Sequence, residues 1–373
     1  MTGRPEHEPP IRVCVVAPGA PLIGGQVVQS QRLMAHLEAI PGFQVDFVPH
    51  NPPLRGPFAP LQRVKYVRTV ATTAVYLGRL LAQLRRADVV HVFSASYWSY
   101  LIGPMLAILV GRLYGKQVIV NYRSGECEDH LQRWPRFITG TLGLARIITP
   151  TPYLTEVFAQ FGFEAEVIPN YLDIEHLTYQ ERDPVRPIFL VNRLFDTLYN
   201  YPCALEAFRL VQREVPEARL IVAGYGPLHD QILRWIEEKG LRNVDFRGRV
   251  TPAEMRQLYH EADVYLNSPN LDCFPGSILE AFATGIPVVT TNAGGIRYLV
   301  DHERTGLMVE CDDAEGLARC ALRVLRNPDE ARRFARAGRE ELEQRYVWPV
   351  VGPAWIATYR EMAGTQLTGT SRR

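Results

Sequence analysis

Residues 272–295 read DCFPGSILEAFATGIPVVTTNAGG, an order that predicts a loop, a short helix opening at Pro275 or Gly276, a stop at Gly285, a buried strand and a glycine-rich loop. Proline suits a helix start because its missing N–H would be unpaired there anyway. Gly276 and Ser277 then leave backbone N–H groups at the positive end of the helix, where a phosphate binds. Gly285 supplies the left-handed conformation that ends a helix. The β-branched run IPVVTT (286–291) is of the kind buried in a parallel sheet. Local chemistry thus predicts an anion site at the carboxyl edge of a sheet, with Glu280 about one turn inside the helix. A carboxylate there also serves simply as a partner of the helix dipole, worth about 0.3–1 kcal/mol.

The same alternation continues on both sides. Upstream, IRVCVVAP (11–18) reads as a strand, and after it Val28, Leu33, Leu37 and Ile40 recur at helical spacing. Gly24 and Gly25 stand at that loop-to-helix junction, where glycine either admits a ligand close to the backbone or simply makes a tight turn. FQVDFVP, DVVHVF and KQVIVNY are further strands, with His91 a packed residue inside one of them. SYWSYLIGPMLAILVG (96–111) reads as a buried helix, and Arg123 opens the loop after strand 117–122. QERDPVRP (180–187) is a linker by composition, and the alternation restarts beyond it with PIFLVNRL, ARLIVAGYGP, NVDFRGRV and VYLNSPN. Arg193 falls where a strand gives way to its loop, at the edge where doubly wound sheets bind ligands. Thr251 and Glu254 form a capping box at the start of TPAEMRQLYHEAD.

Two acidic positions eight apart, followed by LEAFATGIPVV and paired glycines, resemble the retaining nucleotide-sugar glycosyltransferases of family 4, which have the GT-B fold. The resemblance covers nearly the whole chain, with its specific motifs between 188 and 300. It implies an α/β chain of two doubly wound Rossmann-like domains facing across a cleft. An acceptor-side domain would occupy 1–175, a nucleotide-sugar-binding domain 186–346, and a C-terminal helix in 347–373 would cross back to the first. IPNYLD (168–173) is similar to the family's hinge. By the same resemblance, Arg193 clamps the leaving diphosphate, with the N–H groups of Gly276, Ser277 and Ile278. Asp272 holds the donor sugar and Glu280 the ribose. Arg249 and Val250 lie beside the base, and Gly24 and Gly25 admit the acceptor or the donor phosphate. Four departures stand out. Asp272 replaces the usual Glu, Pro275 a Gly, Arg123 a His that reaches the sugar, and Tyr199 with Asn200 the Lys-Gly that follows Arg193. Arg123 cannot act as a base, yet it can hold a phosphate through two parallel hydrogen bonds.

At 373 residues, two domains are the default, and 47% hydrophobic with 22% charged residues is a globular composition. A net charge of +1 argues against a general nucleic-acid binder. Six scattered cysteines with no C-x-x-C pair fit a reducing cytoplasm and neither a disulfide framework nor a zinc site. There is no G-x-G-x-x-G fingerprint for a nicotinamide cofactor, no secretion signal and no D-x-D motif, so neither cofactor nor metal is expected. From Phe47 to Ala87 the chain has no acidic residue, and basic residues from Arg55 to Arg86 interleave with apolar ones. Such a segment (55–86) is either a peripheral contact for an anionic membrane or a solvated face balanced by acids elsewhere.

The resulting expectation is a metal-independent, hexosyltransferase-like retaining enzyme of polysaccharide or glycolipid biosynthesis. It would move a sugar from a UDP- or GDP-sugar to a glycan, lipid-linked or small-molecule acceptor, in the cytoplasm or at the inner face of the membrane. The departures at Arg123, Tyr199 and Asp272 motivate an alternative, a GT-B scaffold that binds a nucleotide, a glycan or a partner with little transfer. A sugar-nucleotide epimerase fits the motif order less well.

Overall fold

β-Branched runs bounded by turn residues build two six-stranded, all-parallel sheets in the computed structural model, which describes residues 9–20, 24–54, 64–94 and 96–369. The first sheet holds β1 (Ile11–Ala17), β2 (Phe43–Pro49), β3 (Val89–Ser94), β4 (Gln117–Tyr122), β5 (Arg146–Thr149) and β6 (Ala165–Val167), in the order β2-β1-β3-β4-β5-β6. Its helices are α1 (Gly25–Glu38), α2 (Lys65–Gln83), α3 (Tyr97–Ile102), α4 (Pro104–Leu113), α5 (Cys127–Arg133), α6 (Pro135–Leu142) and α7 (Pro152–Gln160). The second sheet holds β7 (Ile188–Val191), β8 (Arg219–Ala223), β9 (Val244–Gly248), β10 (Val264–Asn267), β11 (Val288–Thr291) and β12 (Gly306–Val309), in the order β12-β11-β10-β7-β8-β9. Around it lie α8 (Tyr201–Glu214), α9 (His229–Glu238), α10 (Pro252–Glu261), α11 (Gly276–Thr284), α12 (Ala314–Arg326) and α13 (Pro328–Arg345); α14 (Trp348–Gly369) closes the chain order. Strand order reverses between β7 and β10, the switch point at which doubly wound sheets place ligands.

The chain divides into one unit of residues 1–169 with 352–373 and another of 170–351. The helix of the RYVWPVVGPAWIATYREM segment therefore joins the first unit from Gly352 onward. Trp355 stacks on His91 at 4.9 Å, and the Tyr359 hydroxyl lies 2.6 Å from His91 Nδ1. His91 Nε2 meets Asn121 Nδ2 at 3.1 Å, so the ring is packed and bonded on both sides, as its position within a strand suggested.

Two expectations are corrected. The segment 180–187 is no linker: its backbone and the buried Arg182 dock on the second unit, with Arg182 donating to the carbonyls of Tyr259, Ala262 and Thr284. Residues 96–111 form two helices, because Gly103 and Pro104 interrupt the backbone pattern, and Trp98, Ile102 and Leu109 stay exposed. Residues 55–63 of the basic segment, with Arg55 and Arg63, lie outside the described residues.

Burial also sets an acid response. Desolvation pushes the His50 and His91 imidazoles down to about 3 and His130 to about 4, and all three are in the first unit. A base whose folded pKa is depressed keeps its full stabilising contribution above the unfolded value of 6.5 and loses it as pH falls toward the folded value. The first unit is thus expected to weaken between pH 6.5 and pH 4, by up to about 3 kcal/mol per ring. His91→Gln should flatten that slope in denaturation curves taken across this range.

Candidate functional site

The loops that leave β7 and β10 meet at the switch point, and two polar networks are built there. In the first, Arg193 stands two residues beyond the end of β7 and its side chain is nearly buried, at 12% exposure. Its Nη1 donates to Ser277 Oγ (2.7 Å) and its Nη2 to Asp272 Oδ2. The Tyr199 ring lies 4.3 Å below the guanidinium. The Arg193 backbone is held as well: its N–H donates to the Tyr201 hydroxyl (3.1 Å), which donates to the Arg193 carbonyl (2.7 Å). Asp272 Oδ1 accepts from the Phe274 N–H at 3.1 Å. Burial raises the Asp272 carboxyl above its ordinary range, opposed by Arg193 and by backbone N–H groups.

The second network centres on Tyr259 of α10. Its hydroxyl donates to Glu280 Oε2 at 2.8 Å and accepts from Asn192 Nδ2 at 2.7 Å. Burial, and then the Glu280 charge, hold the Tyr259 phenol well above its ordinary pKa, so it stays a donor. Glu280 is half-buried on α11, one turn from the helix start.

That start follows from local sequence. Pro275 is the N-cap, one residue outside the helix, and Gly285 closes the helix at φ 75 and ψ 30. The N–H groups of Gly276 and Ser277 have no acceptor among the described residues. The Ile278 N–H does not share this state, since it donates to the Pro275 carbonyl at 3.2 Å. Glycine is required nearby for close approach. A Cβ on Gly295 would lie 1.9 Å from the Cys273 carbonyl oxygen, and one on Gly224 (φ +154) would lie 2.1 Å from that of Arg193. Gly295 N–H donates to the Asp272 carbonyl at 2.8 Å, which ties the glycine-rich loop to the acidic one.

Arg193, Asp272, Ser277 and Tyr199 are therefore in direct contact, with Gly276 and Glu280 on the adjoining helix. Tyr199 supports the guanidinium from below, and Asn200 caps α8 through the Cys203 N–H. Arg249 lies over the Tyr225 ring at 5.1 Å, beside Val250, on the loop after β9. Gly24, Gly25 and Arg123 belong to the first unit. Among the described residues nothing lies within 4 Å of the Cβ position of either glycine, which leaves their backbone open on that side. Arg123 donates to Asn121 Oδ1 at 2.9 Å and lies over Phe93. Sequence reading missed Asn192, Tyr259, Tyr201 and Gly224. Only the G-Y-G of ARLIVAGYGP carried a signal, since a glycine pair after a strand marks a close backbone approach. Among the described residues no group of three or more His, Cys, Asp and Glu is placed to hold a metal ion.

Two parallel doubly wound sheets define the GT-B architecture. Over residues 142–341 the sequence matches the family described as glycosyl transferases group 1, and the chain belongs to it. It is 30% identical to a glycogen synthase of Mycobacterium tuberculosis over 210 residues, 55% of this chain and 50% of that protein. It is 27% identical to a phosphatidyl-myo-inositol mannosyltransferase of Mycobacterium leprae over 209 residues, 54% of this chain and 55% of that one. The chain thus spans about half the length of these curated relatives. Among solved structures, HepE of Anabaena in complex with UDP is similar at TM-score 0.74 and 15% identity, over 94% of this chain and 100% of that chain. Sucrose-phosphate synthase of Thermosynechococcus elongatus is similar at TM-score 0.73 and 20% identity, over 96% and 100%.

Proposed function

We propose that the chain is a retaining glycosyltransferase that takes a sugar from a nucleoside diphosphate, UDP or GDP, to a lipid-linked or glycan acceptor. The contact between Arg193 and the start of α11 carries this reading. Transfer breaks the bond between the anomeric carbon and the β-phosphate oxygen and forms one to an acceptor hydroxyl oxygen, whose proton passes to the departing diphosphate. The departing diphosphate gathers negative charge, and preorganised donors aimed at it lower the barrier. Arg193 and the Gly276 and Ser277 N–H groups supply such donors, so the reading includes metal independence, and chelation by EDTA should leave the rate unchanged. Asp272 accepts from Arg193 and from the Phe274 and Cys273 N–H groups and, as a carboxylate with about four acceptor positions, retains capacity for a sugar hydroxyl. Glu280, oriented by Tyr259, accepts from the ribose.

Lipid-linked acceptors fit the basic amphipathic α2, and the name of the mannosyltransferase relative points the same way. The alternative, a binding scaffold, draws on the buried Arg193–Asp272 pair, in which each charge already has an opposite partner without substrate. A thermal-shift series with UDP, GDP, ADP and CMP identifies the base through stabilisation by mass action. Nucleotide release from the sugar-loaded form, with acceptor present, separates transferase from scaffold. Glu280→Ala should weaken nucleotide binding by about tenfold or more, and affinity equal to the unmodified chain would remove Glu280 from the site.

A further inference from the structure

The first unit carries an exposed face that the nucleotide-sugar chemistry does not use. Tyr66, Val70, Trp98, Leu113 and Phe137 each leave 70% or more of their surface exposed. They stand on α2, α3, α4 and α6, and α4 packs against the other three, so one continuous helical surface holds them. On α2, Tyr76 and Leu80 point into the core, whereas Val67, Val70, Ala74 and Leu81, spaced three, four and seven residues apart, lie along the opposite side. An inward stripe explains folding. A second, outward stripe has no partner among the described residues of the unit, and exposed apolar surface of this extent marks an interaction site.

The charge around this surface is predominantly basic. From Phe47 to Leu142 the sequence has twelve Lys and Arg residues and four carboxylates, Asp88, Glu126, Glu128 and Asp129; Asp88 accepts from the Arg12 N–H, and Asp129 accepts from the Tyr97 hydroxyl and pairs with Arg133. None of α2, α3, α4 and α6 contains an acidic residue. Arg68, Arg79, Arg85, Arg86, Arg112 and Arg136 form no ion pair among the described residues. No helix is long and apolar enough, among the described residues, to cross a membrane. Exposed aromatic and aliphatic side chains rimmed by unpaired arginines match a surface that is apolar below and anionic above, which is the boundary of an anionic bilayer.

We propose that this face of the first unit lies on a bilayer containing anionic lipid, with Trp98 and Phe137 at the headgroup–acyl boundary and α2 in the plane of the interface. The inference rests on the lipid-linked-acceptor reading for its purpose, and its test uses neither sugar nor acceptor. The full chain is sedimented with phosphatidylcholine vesicles, with and without phosphatidylglycerol, at rising salt. Binding is expected to the anionic vesicles, weakening as salt screens the arginines. Trp98→Ser with Phe137→Ser should lower the partition by about tenfold or more. Arg68→Glu with Arg136→Glu should lower it similarly and remove the preference for anionic lipid. All four positions are exposed, so an unchanged melting temperature and nucleotide-induced shift establish that both variants fold. Absence of vesicle binding, equal binding to both vesicles, or full binding by the Trp98/Phe137 variant overturns the proposal. So does a concentration-dependent dimer that this variant abolishes, since that assigns the face to a second copy. Vesicle binding without any nucleotide-induced shift upholds this surface while it sinks the donor reading.

Discussion

Arg193→Ala is expected to cut sugar transfer by about 10²–10³-fold and, separately, to lower the unfolding free energy by about 3–5 kcal/mol. The two effects have different origins. The first is the loss of a charged donor aimed at a leaving diphosphate. The second arises because Asp272, exposed at only 9%, is left as a buried carboxylate whose remaining donors are backbone N–H groups. Removing one partner of a buried pair costs more than the pair contributes, since the survivor keeps its desolvation penalty. Asp272→Asn placed on the Arg193→Ala background removes that charge and should recover most of the lost stability without recovering the rate. Denaturant midpoints and initial rates of nucleotide release for the four members of the cycle test both statements. If the rate survives Arg193→Ala while stability falls, the pair is structural and Arg193 is not the donor that lowers the barrier.

Gly295→Ala is expected to cost about 2–4 kcal/mol and to reduce transfer by about a hundredfold, although the residue bears no functional group. The added methyl would stand 1.9 Å from the Cys273 carbonyl oxygen, a backbone atom that moves only if the whole acidic loop moves. That loop sets Asp272, and through it the guanidinium. Gly276→Ala provides the contrast, because nothing lies within 4 Å of its Cβ position. Its stability should stay within about 1 kcal/mol, with any loss confined to nucleotide affinity. Thermal midpoints beside nucleotide titrations distinguish the two. A Gly295→Ala protein as stable as the parent would show that the loops slide freely.

The elements that were legible in sequence are those fixed by neighbours a few residues away. Gly285 ends α11 in the left-handed conformation, and Thr251 with Glu254 forms both halves of the capping box of α10. The contact of Arg193 with Asp272 joins residues 79 apart, and only the resemblance to a known family placed them together. Composition misled where one set of residues suits two environments. The Arg, Asp and Pro of 180–187 describe a solvated linker equally well, and only the buried carbonyls around Arg182 decide for a docked strand of chain. Likewise the apolar run 96–111 was read as buried, because hydrophobicity records affinity for a non-aqueous surface without saying whether that surface belongs to the protein. Tyr259 had no local signature, as its role exists only once α10 and α11 lie side by side.

The passage of α14 into the first unit has a consequence for the order in which the chain matures. Residues 170–351 form a continuous unit that holds all its own strands, so it can complete as soon as it has left the ribosome. The earlier-made residues 1–169 cannot, because His91 and Phe43 wait for the rings of Trp355 and Tyr359. The half synthesised first is therefore the half finished last, and a fragment ending at Pro169 leaves the His91 side of its sheet uncovered.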